Sequence, residues 1–178
     1  RWGNFWSIGA GWLMNKEAFL ENQKWIDMLK FKISYGLQGN DNLMYEGGLY
    51  RNYYPYMDQY TLANSNGDFS TSLYYKGNPD ITWETSHSFN TGFDFTFWGG
   101  KLSGAVEYFS RKTTDMLYFK PVSPSMGYSR FPENVGSMVN RGVELDLNSN
   151  IINTKDFTWD INFNLLTSRT KYWNWLQS

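Results

Sequence analysis

Between Ser88 and Phe109 the chain reads "SFNTGFDFTFWGGKLSGAVEYF". Phe89, Phe93, Phe95 and Phe97 alternate with Asn90, Gly92, Asp94 and Thr96. Beyond Gly99 and Gly100, Leu102, Val106 and Tyr108 alternate with Ser103, Ala105 and Glu107. A period of two puts these rings on one face of a strand and the polar residues on the other. The segment therefore constrains the fold to antiparallel β-structure with two unlike faces.

The same period recurs along the chain. Trp6, Ile8, Ala10 and Trp12 line one side of 4–12, and Leu29, Phe31, Ile33, Tyr35 and Leu37 one side of 29–38. Strands follow at 85–97 and at 102–108, the latter with a polar extension "RKTTD" at 111–115. Segment 134–151 carries Val143, Leu145 and Leu147 on one side, and 157–165 carries Phe157, Trp159, Ile161, Phe163 and Leu165. Six strands result, with a short helical turn expected only in the connection at 15–27. The links 98–101 and 152–156 are tight turns. Segments 39–80 and 118–133 are long and rich in Gly, Asn, Tyr and Pro, and 49–62 with 68–76 suit an extra hairpin. In an antiparallel meander the tight links and the 15–27 connection fall at one end and the long loops at the other, the layout of an outer-membrane barrel. The expected register pairs Phe97 with Leu102, Phe95 with Gly104 and Phe93 with Val106. Across 152–156 it pairs Ile151 with Phe157, Leu147 with Ile161 and Leu145 with Phe163. A slip of one residue would mix the faces.

The second face carries Lys30, Lys32, Asp94, Glu107, Arg111, Glu144, Asp146 and Asp160. A soluble sandwich would also alternate. The run at 134–151 exceeds the roughly 5–6 residues of a usual globular strand. Trp12, Trp83, Trp98 and Trp159 stand at strand ends, as in interfacial aromatic girdles. Both features favour a membrane barrel, with the Phe stripe on outer-membrane lipid and the ionisable residues facing a wet lumen. The net charge of −1 gives no basic footprint for nucleic acid. There is no Cys, and a single His87 three residues after Glu84 on a strand lacks the partners of a metal site.

Longer strings are more specific. "LKFKISYGLQGNDN" (29–42), "GNPDITWE" (77–84), "KLSGAVEYFSRKTTDML" (101–117), "NVGSMVNRGVELDLNSNII" (134–152) and "KDFTWDINFNL" (155–165) occur in order, covering nearly the whole chain to about residue 169. In these strings the sequence resembles the SusC/RagA family of TonB-dependent outer-membrane transporters of Bacteroidetes. The resemblance implies a barrel of about 22 strands with a plug domain inside. It also implies a SusD-like surface lipoprotein as lid, and uptake of glycans or peptides powered by TonB. Residues 1–178 are expected to be part of one such barrel domain, without its plug and its remaining strands. The closing "TKYWNWLQS" lacks the family's continuation. Six strands, even with an extra hairpin, cannot enclose so many ionised groups in a closed lumen. An open, curved sheet is expected instead, with unpaired edges near 4–12 and 157–168, prone to aggregate and unable to transport alone.

No catalytic, cofactor or metal residue is assigned. Gly99 and Gly100 suit a turn, and Gly142 a bulge or close strand packing. The carboxylates Asp94, Glu107, Glu144 and Asp146 are read as lumen-solvating groups, not an acid/base pair. The loop "YEGGLYRNYYPYMDQY" (45–60) offers Tyr45, Tyr50, Tyr53, Tyr54, Tyr56 and Tyr60 as flat amphipathic faces for a substrate or lid. A nutrient-importer segment is the leading function; a soluble all-β carbohydrate-binding module and a passive porin are the alternatives.

Overall fold

The structure, a computed structural model, describes residues 2–44 and 50–173. It contains eight strands, β1 (Ser7–Leu13), β2 (Ile26–Asn40), β3 (Gln59–Ser65), β4 (Asp68–Tyr75), β5 (Glu84–Phe97), β6 (Leu102–Pro121), β7 (Arg130–Asn153) and β8 (Thr158–Trp173). Six form one sheet in the order β1-β2-β5-β6-β7-β8, every neighbouring pair antiparallel, and β3-β4 form a separate hairpin. The two outer strands, β1 and β8, do not pair with each other, so the sheet is open. No helix among the described residues is long and apolar enough to cross a membrane, which says nothing of strands.

Across 98–101 the register is the expected one, Phe97 opposite Leu102, Phe95 opposite Gly104 and Phe93 opposite Val106. The turn is built from three left-handed residues, Trp98, Gly99 and Gly100. Asp27 closes it, its Oδ2 accepting hydrogen bonds from the backbone N–H of Gly99 (2.7 Å) and Gly100 (3.1 Å). The connection at 15–27 contains one 3-10 turn at Met14–Lys16. The loop hairpin forms at 59–75 and turns on Asn66 and Gly67, both at positive φ, the Asn-Gly pair that such turns favour.

Two expectations need correction. Leu147 pairs with Phe163 and Leu145 with Leu165, two residues from the expected partners. A bulge between Asn150 and Ile152 and a four-residue link from Thr154 to Phe157 take up the difference. A shift of two keeps every side chain on its own face, so alternation alone does not distinguish the registers. Half of segment 118–133 is strand: β6 runs to Pro121 and β7 starts at Arg130, leaving a short link with a 3-10 turn at Pro124–Met126. Pro132, opposite Phe119, sits where β6 and β7 run on together beyond β5 and β8.

The tight connections lie at one end of the sheet. The β2–β5 excursion and the β6–β7 link lie at the other, as the alternation requires. Gly142 is a point of close approach: a Cβ there would stand 2.2 Å from the carbonyl oxygen of Thr167 and 2.7 Å from the Phe109 ring. Most of the largest fully buried side chains lie outside the six-stranded sheet, Pro132 of β7 excepted. Leu43, Tyr75 and Ile81, with Asn52 and Pro132, form a small core under the loops at the long-loop end.

Candidate functional site

The pairings put Lys30, Lys32, Asp94, Glu107, Arg111, Glu144, Asp146 and Asp160 on one face of the sheet. Residues directly opposite in an antiparallel pair share a face, and Lys30 lies opposite Asp94 and Glu107 opposite Glu144. Lys32 Nζ sits between two carboxylates, 2.8 Å from Asp94 Oδ1 and 3.1 Å from Glu107 Oε2. It offsets the repulsion of Glu107 and Glu144, which stand side by side. Asp146 accepts a hydrogen bond from Asn148 Nδ2 at 2.7 Å and Asp160 one from Asn150 Nδ2 at 2.6 Å. Among the described residues Arg111 and Glu144 make no ion pair.

The opposite face is apolar and uncovered. Phe93 is 41% exposed and Leu165 51% exposed. Among the described residues no second layer lies over them, so these residues do not form a two-sheet sandwich. In water such exposure forgoes about 1.5–3 kcal/mol for each large apolar side chain. Aromatic contacts cluster at two levels of the band. Near the tight turns Trp25 touches Phe97 and Trp98, with ring centroids 5.2 and 6.0 Å apart, and Trp12 meets Phe19. Towards the other end Trp6 meets Tyr35 at 5.7 Å and Phe89 meets Tyr108 at 6.4 Å. Trp83 belongs to neither level. It lies beyond Phe89 on the long-loop side, against Phe5.

The tyrosine loop is anchored from below. Asn52 is buried and donates through Nδ2 to Tyr75 Oη (2.5 Å), while its Oδ1 accepts from the N–H of Tyr54 (3.0 Å). Tyr75 rests edge-on against Phe119 at 5.3 Å. Gly77 must be glycine, because a Cβ would stand 2.4 Å from the Met57 carbonyl carbon. Asn134 ties in the segment that follows. Its Oδ1 accepts from the Thr82 N–H (2.7 Å), and its Nδ2 donates to the carbonyls of Thr82 (3.1 Å) and Asp115 (2.7 Å). Held this way, Tyr50, Tyr53, Tyr54, Tyr56 and Tyr60 are all exposed, and Tyr45 lies outside the described residues. Beside them is a cavity of about 190 Å³ lined by Asp41, Arg51, Asn52, Tyr53, Pro55, Tyr56 and Trp83. Arg51 pairs with Asp41 and lies over the Tyr53 ring, 5.2 Å from its centroid. The tyrosines were legible in the sequence. Arg51, Asp41 and Trp83 were not, because their meeting depends on loop closure across segments with no periodic pattern.

A family model described as TonB dependent receptor-like, beta-barrel, matches residues 1–177. The chain belongs to that family. The TonB-dependent receptor SusC of Bacteroides thetaiotaomicron is 31% identical over 174 residues, covering 93% of this chain and 17% of SusC. The TonB-dependent receptor P39 of Formosa agariphila is 31% identical over 163 residues, with 92% of this chain and 15% of P39 covered. Among solved structures, the RagAB peptide transporter superposes with a TM-score of 0.81 at 31% identity, covering 94% of this chain and 18% of that one. This TonB-dependent receptor segment thus spans less than a fifth of the relatives it matches. The resemblance to SusC/RagA holds over most of its length. Barrels of this family are outer-membrane proteins, and the relatives are named as receptors and a transporter. Among the described residues no group of three or more His, Asp or Glu could hold a metal.

Proposed function

We propose that this chain is one section of the wall of an outer-membrane nutrient importer, within a single barrel domain that other strands complete. The observation that carries the reading is the one-layered sheet with an uncovered apolar face and an ionised opposite face. Lipid is the solvent that suits the first and a wet lumen the second. In this reading Phe93, Phe95, Leu145 and Phe163 face hydrocarbon. Lys30, Lys32, Asp94, Glu107, Arg111, Glu144, Asp146 and Asp160 face the lumen, against its water and whatever fills it. The tight turns mark the periplasmic rim and the tyrosine loop the outer rim.

Transport in this reading is TonB-powered and carries a glycan or peptide, with a SusD-like lipoprotein over the outer rim. Tyr50, Tyr53, Tyr54, Tyr56 and Tyr60, with Tyr45, supply flat faces to a substrate or to that lid. Support comes from the curated relative named for SusC and from the solved RagAB peptide transporter. The test is uptake by cells expressing the intact transporter, with oligosaccharides and oligopeptides offered separately, with and without TonB. TonB-dependent uptake of either class supports the proposal. A protein that stays in solution without detergent, and lacks the heat-dependent gel shift of folded barrels, defeats it.

A further inference from the structure

The apolar face stops abruptly at a cluster of cations. On β7 the outward positions run Leu147, Leu145, Val143 and then Arg141. Directly opposite Arg141 on β8 stands Arg169. The next outward position of β7, Val139, lies between Lys112 of β6 and Lys171 of β8. Like charges directly opposite each other on a sheet repel. Lys112, Arg141 and Arg169 are exposed and Lys171 is half-buried. Among the described residues none of the four makes an ion pair. From the tight turns up to this level, the outward positions of β6, β7 and β8 carry no Asp or Glu.

The level is informative. From Trp159 to Arg169 is about ten residues of strand, roughly 33 Å of path at about 3.3 Å per residue. At a tilt of roughly 35–45° this is about 23–27 Å of height, matching an apolar band about 25 Å tall. The cations therefore stand where the outer leaflet's hydrocarbon ends and its headgroups begin. Their Cα atoms span about two strand spacings, roughly 10 Å, the size of one headgroup. Guanidinium forks suit phosphate oxygens, and lysines add point charge.

We propose that Lys112, Arg141, Arg169 and Lys171 form a binding site on the outside of the barrel for the phosphate groups of an anionic lipid of the outer leaflet. The site rests on the reading of this face as lipid-facing and adds to it a specific lipid contact. It fixes the height of the barrel in the membrane and relieves the repulsion between Arg141 and Arg169.

The test is native mass spectrometry of the intact transporter in detergent, titrated with dimyristoyl phosphatidic acid or with the matched diacylglycerol. The wild type is expected to bind phosphatidic acid and not diacylglycerol. Arg141→Gln with Arg169→Gln should weaken binding about 25-fold, from about a factor of five per charge near a membrane surface. Lys155→Gln, in the tight turn at the opposite rim, should leave it unchanged. If the double arginine variant yields no folded barrel, Lys112→Gln with Lys171→Gln decides the matter with the arginines in place. Equal binding of the two lipids, or folded double variants that bind as the wild type does, would overturn the site while leaving the membrane reading intact. A protein that needs no detergent would instead refute the membrane reading itself.

Discussion

Phe31 and Phe93 face each other across β2 and β5 with ring centroids 5.2 Å apart. One residue further along each strand, Lys32 and Asp94 form a 2.8 Å ion pair on the opposite side of the sheet. An aromatic contact and an ion pair thus sit back to back in a single layer. In water each would want the other's surroundings; a bilayer wall around an aqueous lumen suits both at once.

Replacing Phe93 or Phe95 by Arg should therefore cost about 2–4 kcal/mol if the position is near the midplane. Asp94→Asn should cost less than about 1 kcal/mol, because the pair is partly solvated and Lys32 keeps Glu107 as partner. Urea unfolding of the intact barrel in lipid vesicles measures both. An Asp94→Asn variant as unstable as the Phe variants would contradict the assignment of faces.

Lys32→Gln leaves Asp94 and Glu107 without their shared cation, beside Glu144. A loss of about 0.5–1 kcal/mol is expected for a partly exposed cluster. It should shrink in high salt, since carboxylate repulsion is screened over roughly 10 Å at 0.1 M. Unfolding midpoints at low and high ionic strength check this; a salt-independent loss would mean the residue acts through packing alone.

Asn134→Ala removes the four side-chain hydrogen bonds that hold Thr82 and Asp115. Protease added to intact cells should then cut within 41–83 faster than in the wild type, with β5–β8 still folded. Cleavage confined to the turns at 98–101 or 154–157 would reverse the assignment of the two rims.

Single Tyr53→Ala, Tyr54→Ala or Tyr56→Ala changes should weaken substrate or lid binding by roughly 2- to 10-fold each, from about 0.5–1.5 kcal/mol per aromatic contact. Stability should be little affected, because these rings are exposed. Calorimetry with oligosaccharide, oligopeptide and the isolated lid protein separates the three ligands.

The period of two revealed the faces, the order of the strands and the register across Trp98–Lys101, because a tight turn leaves little freedom between its strands. It could not reveal the β7–β8 register. The bulge at Asn150–Ile152 and the four-residue turn beyond it move the partners of Leu145 and Leu147 by two, and hydropathy is blind to a shift of two. The outward growth of β6 and β7 was hidden by "KPVSPSMGYSRFP", whose prolines and glycine read as loop. Pro121 and Pro132 are nonetheless accommodated in the strands. The polar cluster around Lys32 was legible as a face but not as a bridge, because the cross-strand diagonal depends on register. The Asn52 and Asn134 anchors carried no signal, since a buried amide and a loop amide look alike in sequence.

The alternation itself can be measured directly. The chain has no Cys, so single cysteines can be placed in it at each position from 89 to 97. In the intact transporter each would carry an environment-sensitive probe, read with a lipid-borne quencher and with an aqueous one. The prediction is strict alternation: 89, 91, 93, 95 and 97 quenched from the lipid, and 90, 92, 94 and 96 from water. Equal quenching at neighbouring positions, or lipid quenching at 94 with aqueous quenching at 93, would contradict the account.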